Sequence, residues 1–457
     1  MSSHGRRTFL KLSGGVLGGI FAGTTVTAAE RTDRFVVETK GKGLPSDLTV
    51  VHEMPGVKFA VVEGSESDVK RSKAVTGYAA DIEVELDDPG VNAEAPTVDE
   101  SDVDAPSSSA SDEPFYPLQW DKQALNVPEA HEVTQGAGTR VTIIDSGVAG
   151  GHPDLDVNES LSRNFTGDGL GAANPAGGYH GTHVAGIVGA LDNGEGVIGT
   201  APGTDLVDCR VFSPNALASF ADILAAVVYS ANIDADVANL SLGAYPIPRQ
   251  GIGQFYGKAL NRVMTYANKE GTLLSIAAGN DSADLQHDKN FISLPNEGAQ
   301  AVSVAATGPI GFGWDADGDG DSDDFASPPE SPAFYTNYGT NAITLGAPGG
   351  DADLGAIGTG VPWYLDLVYN TLAIPTYEQD DDGNITGIES VNHTYGWLAG
   401  TSMAAPNVAG AAALVKSANP DYNANQVESA LKRAADVPDG YDKTFYGSGF
   451  LNVVDAL

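Results

Sequence analysis

GWLAGTSMAAPNVAGAAALVKS, residues 396–417, is a run of small residues with a hydroxyl at its head and a proline four positions later. Alanine at that density predicts a helix that its neighbours can approach closely. Pro406, read as a first-turn proline that loses no hydrogen bond, sets the helix start near Ser402. Free backbone N–H groups and the helix dipole favour negative charge there. Ser402 is therefore either an N-cap or a nucleophile whose transition-state anion is stabilised in place.

Upstream of this run, short apolar segments alternate with helical periodicity. RVTIID, DLVDCRVF, DVANLSLG, TLLSIAAG, AVSVAAT and AITLGAPG read as strands, and HGTHVAGIVGAL, SFADILAAVVYSANI and FYGKALNRVMTYANKEG as helices between them. That order predicts an α/β fold, a mostly parallel sheet with helices on both faces. Catalytic groups in such sheets gather at the carboxyl ends of the strands. Asp145 closes RVTIID, Asn280 follows LLSIAAG, His180 opens one helix and Ser402 another.

Each of these residues has a plain alternative. Asp145 before Ser-Gly suits a turn, and Asn280 suits a left-handed turn position. His180 and His183, three apart on one helical face, suit a metal pair that lacks a third ligand. Together, a carboxylate, an imidazole and a hydroxyl in the order Asp, His, Ser form a recurring acyl-transfer arrangement. Spacing alone leaves His180 and His183 both open as the base.

The blocks VTIIDSGV, YHGTHVAGIVGA and GTSMAAPNVAG resemble the three signatures of the subtilisin-like serine proteases, and NLSLG and AAGN match two further blocks. The likeness spans residues 114–457. It implies Ser402 as nucleophile, His180 as general base, Asp145 as the residue orienting the imidazole, and Asn280 as an oxyanion donor beside the Ser402 N–H. It further implies that Ser241, Leu242 and Gly243 receive an extended polypeptide substrate as an added strand. Ala278 and Gly279 would line the main pocket, with Pro295 as a cis-proline beside it. No buried charge is evident for selecting basic side chains, so a broad, apolar-leaning specificity is expected. A lipase is disfavoured because G-T-S-M-A lacks the second glycine of the G-x-S-x-G elbow. A non-catalytic binding scaffold is disfavoured by the presence of all four catalytic positions.

The likeness also implies structural calcium. Asp154 in GHPDL and the loop ALDNGEGVIGTAPG supply candidate ligands, through the Asn193 side chain and the carbonyls of Leu191, Glu195 and Val197, with Glu113 completing the set. DADGDGDSDD, residues 315–324, echoes the start of an EF-hand loop and reads equally as a solvated acidic loop; its twelfth position is Ala326. A second insertion, about 351–395, holds DDDGNIT, a hairpin-turn signal.

The chain has 457 residues, 61 acidic against 24 basic, for a net charge of −37, with 42% hydrophobic residues. That hydrophobic content supports a large core. The distributed acidity suits a salt-rich milieu, where ~1 M salt shortens the Debye length to about 3 Å, and binding of a basic partner is the alternative. No basic patch exists for nucleic acid. One cysteine, Cys209, excludes an internal disulfide and reads as a core residue. GRRTFLKLSGGVLGGIFAGTTVTAAE carries the twin-arginine export pattern, which predicts a signal peptide over 1–29 and a secreted protein. Residues 30–88 read as a small α+β propeptide, with strands RFVVETK, VKFAVVEG and DIEVELDD and a helical ESDVKRSKAV. An acidic Ser/Asp/Pro linker follows over 89–113. The halolysin type of haloarchaeal subtilase is the nearest likeness for this composition. The expected product is a zymogen whose propeptide chaperones and blocks the enzyme, and a monomer with no membrane segment when mature.

Overall fold

The computed structural model describes residues 30–40, 44–84, 111–250, 252–316, 318 and 325–457. The twin-arginine segment, nearly all of the 89–113 linker and most of the 315–324 loop lie outside the described residues.

Among the described residues, a seven-stranded sheet runs in the order 345–348, 301–307, 273–277, 237–240, 140–145, 205–210, 163–164, and every neighbouring pair is parallel. The expected doubly covered α/β sheet is therefore present. Side chains alternate across it as strand geometry requires. Val141, Ile143, Leu206, Val237 and Leu273 face one core with the helices His180–Gly189, Thr401–Ala418 and Ala424–Ala434. Ile144, Val207, Cys209, Leu240 and Ile276 face the other with the helices Phe220–Asn232 and Ile252–Glu270. Cys209 is fully buried, and burial pushes its thiol up, as a core residue requires.

The second insertion forms a long antiparallel hairpin, Val368–Gln379 with Ile385–Leu398, turning at 380–384. It lies along the His180 helix, where Thr371 Oγ1 donates to Thr182 O at 2.9 Å. Its far end is tied down by Tyr377, whose hydroxyl donates to Ala176 O at 3.0 Å. Asn215 and Ile385 also bond reciprocally, at 2.8 Å each.

Residues 30–84 supply four strands of a second, antiparallel sheet ordered 49–54, 59–63, 30–39, 75–84, 218–219. The strand Thr49–Met54 escapes a periodicity reading because it is short and only half-buried; it pairs with Phe59–Glu63 across the Pro55-Gly56 turn. The helix ends earlier than ESDVKRSKAV suggests, at Arg71, because Ser72 turns extended and Val75 opens the strand Val75–Val84. That strand continues into the larger unit, with Glu83 and Val84 antiparallel to Ser219 and Ala218. Beneath it, Asp81 accepts from Ser219 Oγ (2.5 Å) and Ala221 N (3.1 Å), capping the start of the Phe220–Asn232 helix. Arg34 pairs with Asp222, whose carboxylate also meets His52 at 2.8 Å.

Candidate active site

Ser402 is the second residue of the helix Thr401–Ala418, and Gly400, not Ser402, occupies the cap position. Pro406 therefore lies inside the helix, in the second turn, a correction to its reading as a first-turn residue. Its missing N–H is the one that would have bonded Ser402 O. That carbonyl instead accepts from Ser241 Oγ at 2.7 Å, while Ser402 Oγ donates to Ser241 O at 3.2 Å. The N-cap alternative for Ser402 is thus replaced by a hydroxyl facing the edge segment Ser241–Gly243.

The two histidines separate cleanly. His180 Nδ1 lies 2.8 Å from Asp145 Oδ1, with both residues buried. Asp145 is the last residue of its strand, and its Oδ1 also accepts from Ser146 N at 2.7 Å. His183 turns away to Gly396 O at 3.1 Å, and burial pushes it down to about 3, so it is a neutral packing residue. Among the described residues no third ligand groups with the two histidines; the cluster of metal-type ligands found there is Asp112, Glu113 and Asp192.

Asn280 is gripped through its oxygen. Its Oδ1 accepts from Thr401 N and Thr401 Oγ1, both at 2.9 Å, and Thr401 Oγ1 accepts from Gly279 N at 3.0 Å. This turns the amide nitrogen toward Gly400. A Cβ built on Gly400 would stand 3.5 Å from both Asn280 Nδ2 and Ser402 N, so the two nitrogens flank one small space. An oxyanion placed between them would be stabilised by preorganised donors. Asn337 holds the loop from beneath, donating to Ala278 O at 2.9 Å and accepting from Asp281 N at 3.0 Å and Ala283 N at 2.9 Å. Neither Thr401 nor Asn337 stood out in the sequence. Thr401 lies inside a signature block, but only the fold shows which side chain it grips.

Asp145 and His180 thus meet at the carboxyl end of the Arg140–Asp145 strand, while Asn280, Ser402 and the edge Ser241–Gly243 are joined through the Thr401 and Ser241 hydrogen bonds. Ala278 and Gly279 continue the Leu273–Ala277 strand beside them. Both Leu294–Pro295 and Tyr245–Pro246 are cis.

The profile of the Peptidase S8 subtilase family matches residues 136–449. This chain is a subtilase. Subtilisin Savinase of Lederbergia lenta is 30% identical over 340 residues, covering 73% of this chain and 97% of that protein. M-protease of Shouchella clausii is 29% identical over 412 residues, covering 89% of this chain and 81% of that one. A protease structure from Pseudoalteromonas arctica superposes with a TM-score of 0.57 at 26% identity, over 76% of this chain and 98% of that one. The epidermin leader peptide processing serine protease of Staphylococcus aureus shares the fold at 21% identity, with a TM-score of 0.68 over 94% of this chain and 98% of that one. The subtilase is accordingly a serine endopeptidase with the subtilisin-like α/β fold.

Away from Asp145, His180 and Ser402, the calcium candidates gather from three segments, around Glu113, Asp154 and the 191–197 loop. Glu113 Oε1 accepts from Asn193 N (2.7 Å) and Gly194 N (2.8 Å). Asp154 Oδ2 accepts from Val197 N at 3.0 Å and meets the Tyr395 hydroxyl. Asp154 Oδ1 and Glu113 Oε2 are buried carboxylate oxygens with no hydrogen-bond donor. Burial pushes Asp154 up to about 8 and raises Glu113. Carboxylate oxygens of Asp112, Glu113 and Asp192 lie within 4.8 Å of one another, which adds Asp112 and Asp192 to the expected set. Asn193 Oδ1 accepts from Glu195 N at 2.8 Å, and Leu191 N donates to Asp154 O at 3.0 Å. Donor-poor buried carboxylates of this kind suit a hard cation.

Proposed function

We propose that this subtilase is a secreted endopeptidase, made as a zymogen, that cleaves extended polypeptides through an acyl-enzyme on Ser402. In this reading His180 takes the Ser402 proton and later protonates the leaving amine. Asp145 holds the imidazole tautomer and stabilises the imidazolium. Asn280 Nδ2 and Ser402 N bind the oxyanion. The observation that carries the proposal is the pair of nitrogens, Asn280 Nδ2 and Ser402 N, flanking one space at Gly400, together with Ser402 at a helix start and His180 braced by the buried Asp145.

Substrate lies along Ser241–Gly243 by strand addition, with Ala278 and Gly279 forming the pocket wall and a broad, apolar-leaning preference. Residues 30–88 act as the propeptide. What supports this is the strand Val75–Val84 pairing with Ala218–Ser219 and the capping of the next helix by Asp81. Calcium is held by Asp154, Glu113, Asn193 and the loop carbonyls of Leu191, Glu195 and Val197, where it supplies charge neutralisation to otherwise donor-poor acids. The twin-arginine start supports export in a folded state, and the net charge of −37 supports work at high salt in a halolysin-like setting.

The test is labelling with a serine-directed fluorophosphonate in high salt with calcium, followed by mapping of the adduct. Label on Ser402 that disappears in Ser402→Ala and His180→Ala establishes the activated nucleophile. A folded, processed protein that takes no label overturns the reading.

A further inference from the structure

Lysine is rarely taken fully out of water, because its ammonium loses hydration that only good partners restore. Lys122 is nevertheless 0% exposed, on a short helix Trp120–Ala124 that leads into the sheet. Its Nζ donates to Ile187 O at 3.1 Å, Thr200 Oγ1 at 3.0 Å and Asn407 Oδ1 at 2.6 Å, so all three protons are used. The equally buried Asp121 carboxylate lies 3.1 Å away and balances the charge.

Two of those acceptors belong to the helices that carry the chemistry, and the third, Thr200, lies in the loop that follows the first of them. Ile187 is in the last turn of the helix that opens with His180, where carbonyls lack intrahelical partners and a cation is favoured by the dipole. Asn407 is in the helix that presents Ser402, five residues along. Its amide donates onward to Pro348 O (3.1 Å) and Met403 O (3.3 Å). Pro348 precedes Gly349, whose carbonyl accepts from Gly400 N at 2.9 Å. Thr200 Oγ1 also donates to Asn407 Oδ1 at 3.1 Å, closing the ring between the two helices. Next to Lys122, Trp120 Nε1 donates to Leu367 O at 2.8 Å, at the foot of the hairpin that packs on the His180 helix.

An apolar side chain would fill this space with less desolvation cost, so a buried ion pair here is poorly explained by stability alone. We propose that Lys122 is a positioning residue for the proteolytic reaction: through Ile187, Thr200 and Asn407 it fixes the distance and rotation between the helices bearing His180 and Ser402. The inference rests on the Ser402–His180 reading, and the loss of register acts on proton transfer and oxyanion geometry while leaving the peptide-binding edge in place. An apolar packing residue would tolerate replacement by methionine, whereas this role needs the donors.

The experiment uses the processed enzyme in high salt with calcium. Active sites are counted by fluorophosphonate titration, and kcat and KM for a peptide substrate are measured per titrated site. Lys122→Met together with Asp121→Asn, which leaves no unpaired charge, is expected to lower kcat per site by about 10- to 100-fold, since misplacement by ~1 Å costs on that order. KM should stay within about twofold, because the binding edge is untouched. Asn407→Leu should give a similar loss, and the combined variant no greater one. Should the charge-pair variant fail to fold, Thr200→Val removes one acceptor and keeps the ammonium; a fall in kcat of a few-fold at constant KM is expected. Fewer titratable sites with unchanged kcat per site would reduce Lys122 to a folding role and overturn the proposal. Absence of label in the wild-type enzyme would instead overturn the nucleophile assignment itself.

Discussion

Ser241 and Ser402 are bonded to each other twice, hydroxyl to carbonyl in both directions: Ser402 Oγ donates to Ser241 O at 3.2 Å and Ser241 Oγ donates to Ser402 O at 2.7 Å. The first contact rests the Ser402 hydroxyl on the edge segment proposed above to receive substrate. The second uses the carbonyl that Pro406 leaves without a helical partner. Ser241→Ala should leave that buried carbonyl unpaired, costing about 1–3 kcal/mol of stability. Thermal unfolding of the variant measures this, and kcat should fall as the Ser402 backbone loses its tether.

Thr401 spends both a backbone N–H and a hydroxyl on Asn280 Oδ1. Asn280→Leu is expected to reduce kcat by roughly 10²- to 10³-fold with little change in KM, the loss typical of one oxyanion donor. Thr401→Val should cost less, about tenfold, because the amide is loosened but still present. Steady-state kinetics on a chromogenic peptide would discriminate the two; equal losses would mean that Thr401 does more than orient.

Asp145 is fully buried against His180 Nδ1. Asp145→Asn should lower kcat by about 10⁴-fold, since the amide favours the wrong imidazole tautomer without disturbing the fold. A variant that keeps its melting temperature while losing activity meets this expectation.

The acidic loop gives a prediction independent of turnover. Calcium at ~100 times its Kd should raise unfolding free energy by about 2.7 kcal/mol, seen as a higher melting temperature than in chelator. Asp154→Asn should abolish that increment. An unchanged calcium response in this variant would move the cation elsewhere.

Asp81 gives the N-terminal unit a pH dependence. Burial against the start of the Phe220–Asn232 helix pushes its carboxyl up to about 6, with Arg34 opposing and Asp222 adding to the rise. A carboxyl raised in the docked state binds its proton more tightly there than in the released state. Docking is therefore strongest at low pH and weakens as pH rises toward and through 6. Release of the cleaved unit, followed as gain of peptidase activity, should be favoured about tenfold between about pH 5 and pH 8, and Asp81→Asn should flatten that dependence.

Much of this was written along the chain. The strands at Val141–Ile144 and Leu273–Ala277 are apolar on both faces and β-branched or aliphatic, so burial on both sides follows from composition, and the parallel order follows from the intervening helices. The strand Thr49–Met54 was not legible, because its pattern is short and its support comes from its pairing with Phe59–Glu63 and from the distant Phe220–Asn232 helix, which His52 meets at Asp222. The place of Pro406 was misread for a related reason. A proline inside a helix is normally excluded, and only the approach of Ser241 Oγ makes its cost tolerable here.

The sequence by itself determined the fold class and the family, and its motifs marked Asp145, His180, Asn280 and Ser402 as catalytic candidates, because these depend on local periodicity and on side-chain type at motif positions. Only the tertiary structure set His180 on Asp145 and His183 on Gly396 O, placed Thr401 on Asn280, and drew Lys122 between two helices 65 and 285 residues away in sequence. Those choices are made by hydrogen-bond geometry across long loops. No local pattern encodes it, since the partner of a buried polar group is whichever acceptor the packed core brings within reach.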